Sequence, residues 1–156
     1  MIKMIRVDYR LLHGQVAVSW TSMLGADCLL LVSDTLKNDP LRMQSLQLAK
    51  PVGTKVVVKD LDGSIQALQG NITDKYHLFI ICETIDLAAK VAKAAGVKSI
   101  NLGNVPFAEG KKRISKSVYV DEDEESQLKE LLNEGFDLYI QMVPTEKKIN
   151  CRNVLN

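Results

Sequence analysis

Six short apolar runs punctuate the chain: Met4–Val7, Cys28–Val32, Lys55–Val58, Leu78–Cys82, Ser99–Leu102 and Leu138–Val143. Several are apolar on consecutive positions rather than on alternate ones. That is the pattern of strands buried on both faces of a parallel sheet. The intervening segments carry helical spacing. Val16, Trp20 and Leu24 recur every four residues with Met23 beside them, and Gly25 stops the helix. Asp39 followed by Pro40 reads as an N-cap and first helical residue of a helix running to about Ala49 and ended by Pro51. Leu61 to Gln69, Ile85 to Ala95 and Asp123 to Glu134 each end on a glycine, and acids open the last of them. Lys112–Val120 is expected to hold one more short strand.

Strand and helix alternating from end to end predict an α/β fold, an open doubly wound sheet with helices on both faces. No linker, repeat or low-complexity tract interrupts the pattern, so residues 1–156 are expected to form one domain. In such sheets ligands sit beyond the C-terminal ends of the strands. The loops nominated by that rule are Asp8–Gln15, Ser33–Asn38, Lys59–Asp60, Glu83–Thr84 and Gly103–Phe107.

Charge narrows the function classes. Twenty basic residues against nineteen acidic ones give a net charge of +1, without the basic excess of a general nucleic-acid binder. No stretch approaches the roughly 20 apolar residues that span a bilayer. Met1–Arg10 enters a strand pattern without the apolar core of a signal peptide, so the cytoplasm is expected, with no direct membrane insertion. The three cysteines have no CxxC spacing, which indicates neither zinc nor a redox motif. Cys28 and Cys82 lie in apolar runs and are expected to be buried small hydrophobes.

The first nominated loop concentrates the chemistry. It reads Asp8-Tyr9-Arg10-Leu11-Leu12-His13-Gly14-Gln15, between the first strand and the first helix. His13 stands just before a helix start, where unpaired backbone N–H groups and the helix dipole favour anions. Gly14 leaves the backbone open to close approach. Arg10 offers a planar, permanently charged donor suited to phosphate oxygens. A neutral imidazole is a nucleophile toward phosphorus near neutral pH, and releases the group more readily than a serine ester would. Phosphoryl transfer needs mainly positioning and charge neutralisation, which this loop supplies without metal or other cofactor. Spacing alone does not separate a reactive histidine from a solvated or capping one.

A resemblance adds to that reading. Arg10-Leu11-Leu12-His13-Gly14-Gln15-Val16, followed by Trp20, resembles the phosphorylation segment of the IIB proteins of mannose/fructose/sorbose-type sugar phosphotransferase systems. Ser33-Asp34 with Asn38-Asp39-Pro40-Leu41-Arg42 looks like that family's second loop and helix start. Glu109-Gly110-Lys111-Lys112 and Gln141-Met142-Val143-Pro144 look like its C-terminal half. The resemblance covers essentially the whole chain. It implies a mostly parallel sheet of about seven strands with helices on both faces. It also implies a phosphocarrier, in which His13 takes a phosphoryl group, on Nδ1, from a phosphohistidine of a IIA domain. The group then passes to mannose, fructose, sorbose or a related sugar entering through membrane subunits IIC and IID. By the same resemblance Arg10 stabilises the phosphate, Asp8 orients Arg10 or the imidazole, and Gly14 and Gln15 complete the phosphate loop. Tyr9 stands where the family often has a second Asp, and Asn104-Val105-Pro106 replaces a loop that is often richer in glycine.

Other residues are weaker candidates. Ser33, Asp34, Thr84 and Phe107 fall at strand ends and are expected either to rim the site or to serve as turn, cap and packing residues. His77 opens the run before the fourth strand, at the opposite end of the sheet, and is expected to be structural. Trp20 falls on the apolar stripe of its helix and is expected in the core. Lys111, Lys112 and Arg113 read as a solvated face or a docking patch. The rival reading is a response-regulator-like receiver phosphorylated on Asp, since Asp8, Asp60 and Thr84 fall at suggestive strand ends. It lacks the acid pair after the first strand and the lysine after the fifth. No GxGxxG or GxxxxGK[ST] string supports a nucleotide site. A histidine phosphatase would want Arg-His-Gly, whereas Leu12 precedes His13.

Overall fold

A computed structural model describes residues 1–155. Its strands are β1 (Ile2–Asp8), β2 (Cys28–Val32), β3 (Lys55–Lys59), β4 (Leu78–Cys82), β5 (Ser99–Asn104), β6 (Lys112–Arg113), β7 (Tyr119–Val120), β8 (Asp137–Ile140) and β9 (Ile149–Asn150). Its α-helices are α1 (Gly14–Leu24), α2 (Pro40–Leu48), α3 (Leu61–Gln69), α4 (Ile85–Ala95) and α5 (Glu122–Asn133). The main sheet has seven strands in the order β3-β2-β4-β1-β5-β8-β9. All its ladders are parallel except β8 with β9. This is the doubly wound architecture that the alternating pattern predicts.

Burial on both faces explains the consecutive apolar residues. On β2, Cys28, Leu30 and Val32 face a core completed by α4 and α5, while Leu29 and Leu31 face a second core completed by α1 and α2. Phe79 and Ile81 of β4 join the second core, with Leu12, Trp20 and Leu46. At about 1.5–3 kcal/mol per fully buried large aliphatic side chain, these two layers are the main drive to fold. Polar caps fix where the helices begin. The side chains of Asp39, Asp60 and Thr84 accept from backbone N–H groups of α2, α3 and α4. Asp121 and Glu124 form a reciprocal capping box on α5.

Two strand expectations need correction. Lys112–Val120 holds two short strands, not one, and they pair antiparallel as a separate hairpin outside the main sheet. The seventh strand of the main sheet is β9, whose two exposed residues leave no periodicity to read. The run Leu138–Val143 stays in the ladder only to Ile140, because the carbonyls of Gln141 and Met142 turn to a buried arginine, Arg6. No helix among the described residues is long and apolar enough to cross a membrane.

Candidate functional site

β1 lies in the middle of the sheet between β4 and β5, and the His13 loop leaves from its C-terminal end. The loop begins as a tight turn in which Leu11 N–H donates to Asp8 C=O at 2.9 Å. Leu11 has φ +58°, a left-handed conformation uncommon for a non-glycine residue. The side chains of Leu11 and Leu12 are buried in the second core and hold the turn down. His13 is the N-cap residue of α1, with extended backbone (φ −151°, ψ 137°), yet its side chain makes no capping bond. Gly14 follows at φ +46°, where an L side chain would be strained. Gly14 and Gln15 are exposed at the start of the helix, where first-turn N–H groups have no earlier turn to bond.

The imidazole is half-buried, and its Nε2 is buried without a hydrogen-bond partner. Burial lowers the His13 pKa, the nearby cation of Arg10 lowers it further, and Asp8 opposes the shift. The ring is therefore biased toward its neutral, nucleophilic form. Arg10 is partly exposed. Its Nε lies 3.5 Å from Asp8 Oδ1 and its guanidinium packs on the Tyr9 ring at 5.7 Å. Its terminal nitrogens have no protein acceptor among the hydrogen bonds of the described residues, so the fork is open to an anion.

Asp8 is fully buried and its two oxygens serve different partners. Oδ1 accepts from Arg10 N–H at 3.0 Å, and Oδ2 accepts from Arg6 Nη2 at 3.2 Å. Its contacts are with Arg10 and Arg6, not with the imidazole.

Arg6 belongs to this site and was not among the residues nominated from the sequence. It is 1% exposed, an extreme position for arginine. Nη1 donates to Asn101 Oδ1 at 2.6 Å and to Gln141 C=O at 3.0 Å, and Nη2 also reaches Met142 C=O at 2.9 Å. The guanidinium lies 5.4 Å from the Trp20 ring centre, and Trp20 Nε1 donates to the same Met142 carbonyl at 2.9 Å. Burial pulls the Arg6 pKa down while Asp8 holds it up, and the group remains a cation. Gly103 makes room for it: a Cβ there would fall 2.1 Å from Arg6 Cζ. A charged residue inside the apolar run of a central strand is the signal that marks Arg6 in the sequence.

The expected rim divides. Ser33 is buried, and its hydroxyl contacts Glu83 and accepts from Leu36 N–H at 3.1 Å. Exposed Asp34 caps the start of α3 by accepting from Leu61 N–H at 3.0 Å. Thr84 is the N-cap of α4. Phe107 is 69% exposed and meets Tyr119 edge-on at 5.6 Å, so it is not folded into the core. His77 lies just before β4 with an exposed side chain, and its backbone pairs with Asp27. Lys111 and Lys112 pair with Glu124 and Glu125 of α5, which removes them from any free basic patch.

Known proteins resemble this chain in sequence and fold. The sequence profile of the PTS system sorbose subfamily IIB component matches residues 2–156. The N-acetylgalactosamine-specific phosphotransferase enzyme IIB component 1 of Escherichia coli (strain K12) is 34% identical over 149 residues, 94% of each chain. The crystal structure of the IIBSor domain of the sorbose permease from Klebsiella pneumoniae superimposes with a TM-score of 0.93 at 26% identity, covering 100% of this chain and 96% of that one. The mannose-specific EIIAB component of Escherichia coli (strain K12) is 27% identical over 99% of this chain and 48% of its own length. With a sheet that carries the His13 loop at its central strand and a match from end to end, the chain belongs to the sorbose subfamily of IIB components of the sugar phosphotransferase system.

Proposed function

We propose that residues 1–156 act as one phosphocarrier domain in the cytoplasm, with His13 Nδ1 as the atom that holds the phosphoryl group. The observation that carries this reading is the setting of the imidazole. Nε2 is buried and unpartnered, which leaves Nδ1 as the nitrogen for transfer, and His13 caps α1 within range of the Arg10 charge. In the first step the Nδ1 lone pair attacks phosphorus and the phosphorus–nitrogen bond to the histidine of a phosphorylated IIA domain breaks. In the second, a sugar hydroxyl presented by membrane subunits IIC and IID attacks, the hydroxyl proton leaves, and His13 returns to neutral imidazole. That sequence makes the chain the transferase component between phosphohistidine and sugar. The fused EIIAB organisation of the mannose-specific relative supports a IIA partner.

Each neighbour has a task. Arg10 neutralises the equatorial phosphate oxygens, Gly14 and Gln15 offer backbone N–H groups, and Asp8 holds Arg10 through its backbone N–H, with the Arg10 Nε 3.5 Å from the same carboxylate. An aspartate acceptor of the receiver type is not favoured. Asp8 is shut in between Arg6 and Arg10, and Asp60 is engaged as the N-cap of α3. The test is transfer from a phosphorylated IIA domain. His13→Ala should fold and take no phosphate, and His77→Ala should label like wild type. Label retained by the His13 variant would overturn the assignment.

A further inference from the structure

The peptide unit joining Tyr9 to Arg10 is held at both polar ends by charged groups. Its N–H donates to the buried carboxylate of Asp8 at 3.0 Å, and its C=O accepts from Arg42 Nη2 at 2.7 Å. Arg42 stands in the first turn of α2, where its own backbone N–H is fixed by the Asp39 cap at 3.1 Å. Its other arm, Nη1, donates to Glu83 Oε1 at 2.9 Å. Glu83 is held in turn by the hydroxyls of Ser33 and Thr35, and buried Ser33 accepts from the N–H groups of Thr35 and Leu36 at 3.2 and 3.1 Å. One hydrogen-bonded chain thus runs from the loop after β2, through the loop after β4 and the start of α2, to the backbone just before Arg10.

Arg10 needs such support. Its side chain has only a 3.5 Å ion pair and one aromatic contact to orient it, and neither is a well-formed hydrogen bond. The following residue, Leu11, sits at φ +58°, a conformation that persists only where its surroundings hold it. Rotation of the Tyr9–Arg10 peptide would move the Arg10 backbone and with it the guanidinium. Charge-assisted hydrogen bonds at both ends of the peptide oppose the rotation.

We propose that Arg42 is a positioning residue for phosphoryl transfer, acting through the Tyr9–Arg10 peptide to aim Arg10 at the phosphate on His13. This rests on the proposed role of His13 and Arg10. Arg42 does not act on His13 directly, because the charges that shift the imidazole are Arg10, Asp8 and Arg6.

The test uses phosphoramidate as donor, so that no partner surface enters the rate. Its phosphorus–nitrogen bond breaks, ammonia leaves, and the phosphorus–Nδ1 bond forms. Phosphorylation rates are compared for wild type, Arg42→Ala, Arg10→Ala and the double variant. Each single change should slow labelling by about tenfold, and the double variant should be no slower than Arg10→Ala alone. Arg42→Lys, which keeps one arm of the fork, should recover part of the loss. An NMR titration gives a second readout. The His13 midpoint should rise in Arg42→Ala as it does in Arg10→Ala, and Arg42→Ala should add nothing once Arg10 is gone. Wild-type rates in Arg42→Ala would overturn the inference. So would the same loss with and without Arg10, which would mean general loosening. Absence of label on His13 in the wild type would instead overturn the proposed function.

Discussion

Two halves of the sheet are built on different forces. Across β2 and β4 every residue is buried and apolar, on both faces. Across β1, β5 and β8 the face toward α1 carries Arg6, Asp8, Asn101 and the gap left by Gly103, with Gln141 and Met142 closing over it. Apolar burial is strong but has no direction. Hydrogen bonds and a buried ion pair are costly to assemble, and they fix orientation. The His13 loop leaves from the second half, where Asp8 both closes the buried pair and holds Arg10. The His13 loop is thus held by the polar half and anchored, through Leu11 and Leu12, in the apolar core beneath α1.

The sharpest way to break this contrast is to remove the cation at its centre. Arg6→Met strands the Asp8 carboxylate, Asn101 and the Gln141 and Met142 carbonyls in a buried site. The expected cost is about 3–5 kcal/mol, read as a fall in the urea midpoint of unfolding. Phosphoryl transfer by whatever fraction remains folded should also suffer, because Asp8 no longer has a fixed position. Arg10→Ala separates aim from stability. Transfer should slow at least about tenfold, or 1.4 kcal/mol of barrier, while the urea midpoint barely moves, since the side chain is partly exposed. In the apolar half the equivalent change is gentle. Ile80→Val at the centre of β4 should cost about 0.5–1.5 kcal/mol and leave the transfer rate as it is.

The subtlest expectation concerns pH. The His13 pKa is lowered in the fold, so below the ordinary histidine range the unfolded chain binds a proton that the folded one refuses. His13 therefore detracts from stability as pH falls through that range, and contributes no penalty above it. His13→Gln should flatten this part of the stability profile. A wild-type titration midpoint above the ordinary histidine value would contradict the electrostatic picture of the site.

Sequence reading reached the apolar half most fully, because Cys28–Val32 and Leu78–Cys82 announce doubly covered strands residue by residue. It reached the His13 loop because an arginine, a histidine and a glycine before a helix are local, and because the string resembles a known phosphorylation segment. It missed what depends on residues far apart in the chain. Arg6 meets Gln141 across 135 positions and Asn101 across 95, and no local period reports such a contact. Arg42 was legible only as part of a motif, and its hold on the Tyr9 carbonyl comes from the packing of α2 against the loop. The hairpin of β6 and β7 and the edge strand β9 are two residues long, too short for any hydrophobic period.

His13 is proposed to carry the phosphoryl group on Nδ1, the nitrogen opposite the buried Nε2. The most direct measurement is a nitrogen-15 and phosphorus-31 NMR spectrum of the chain, labelled on its histidine rings and phosphorylated by a IIA domain. Phosphorus coupled to Nδ1 of His13, with Nε2 still unmodified and His77 unchanged, is the expected result. Phosphorus on Nε2, on His77 or on an aspartate would contradict it.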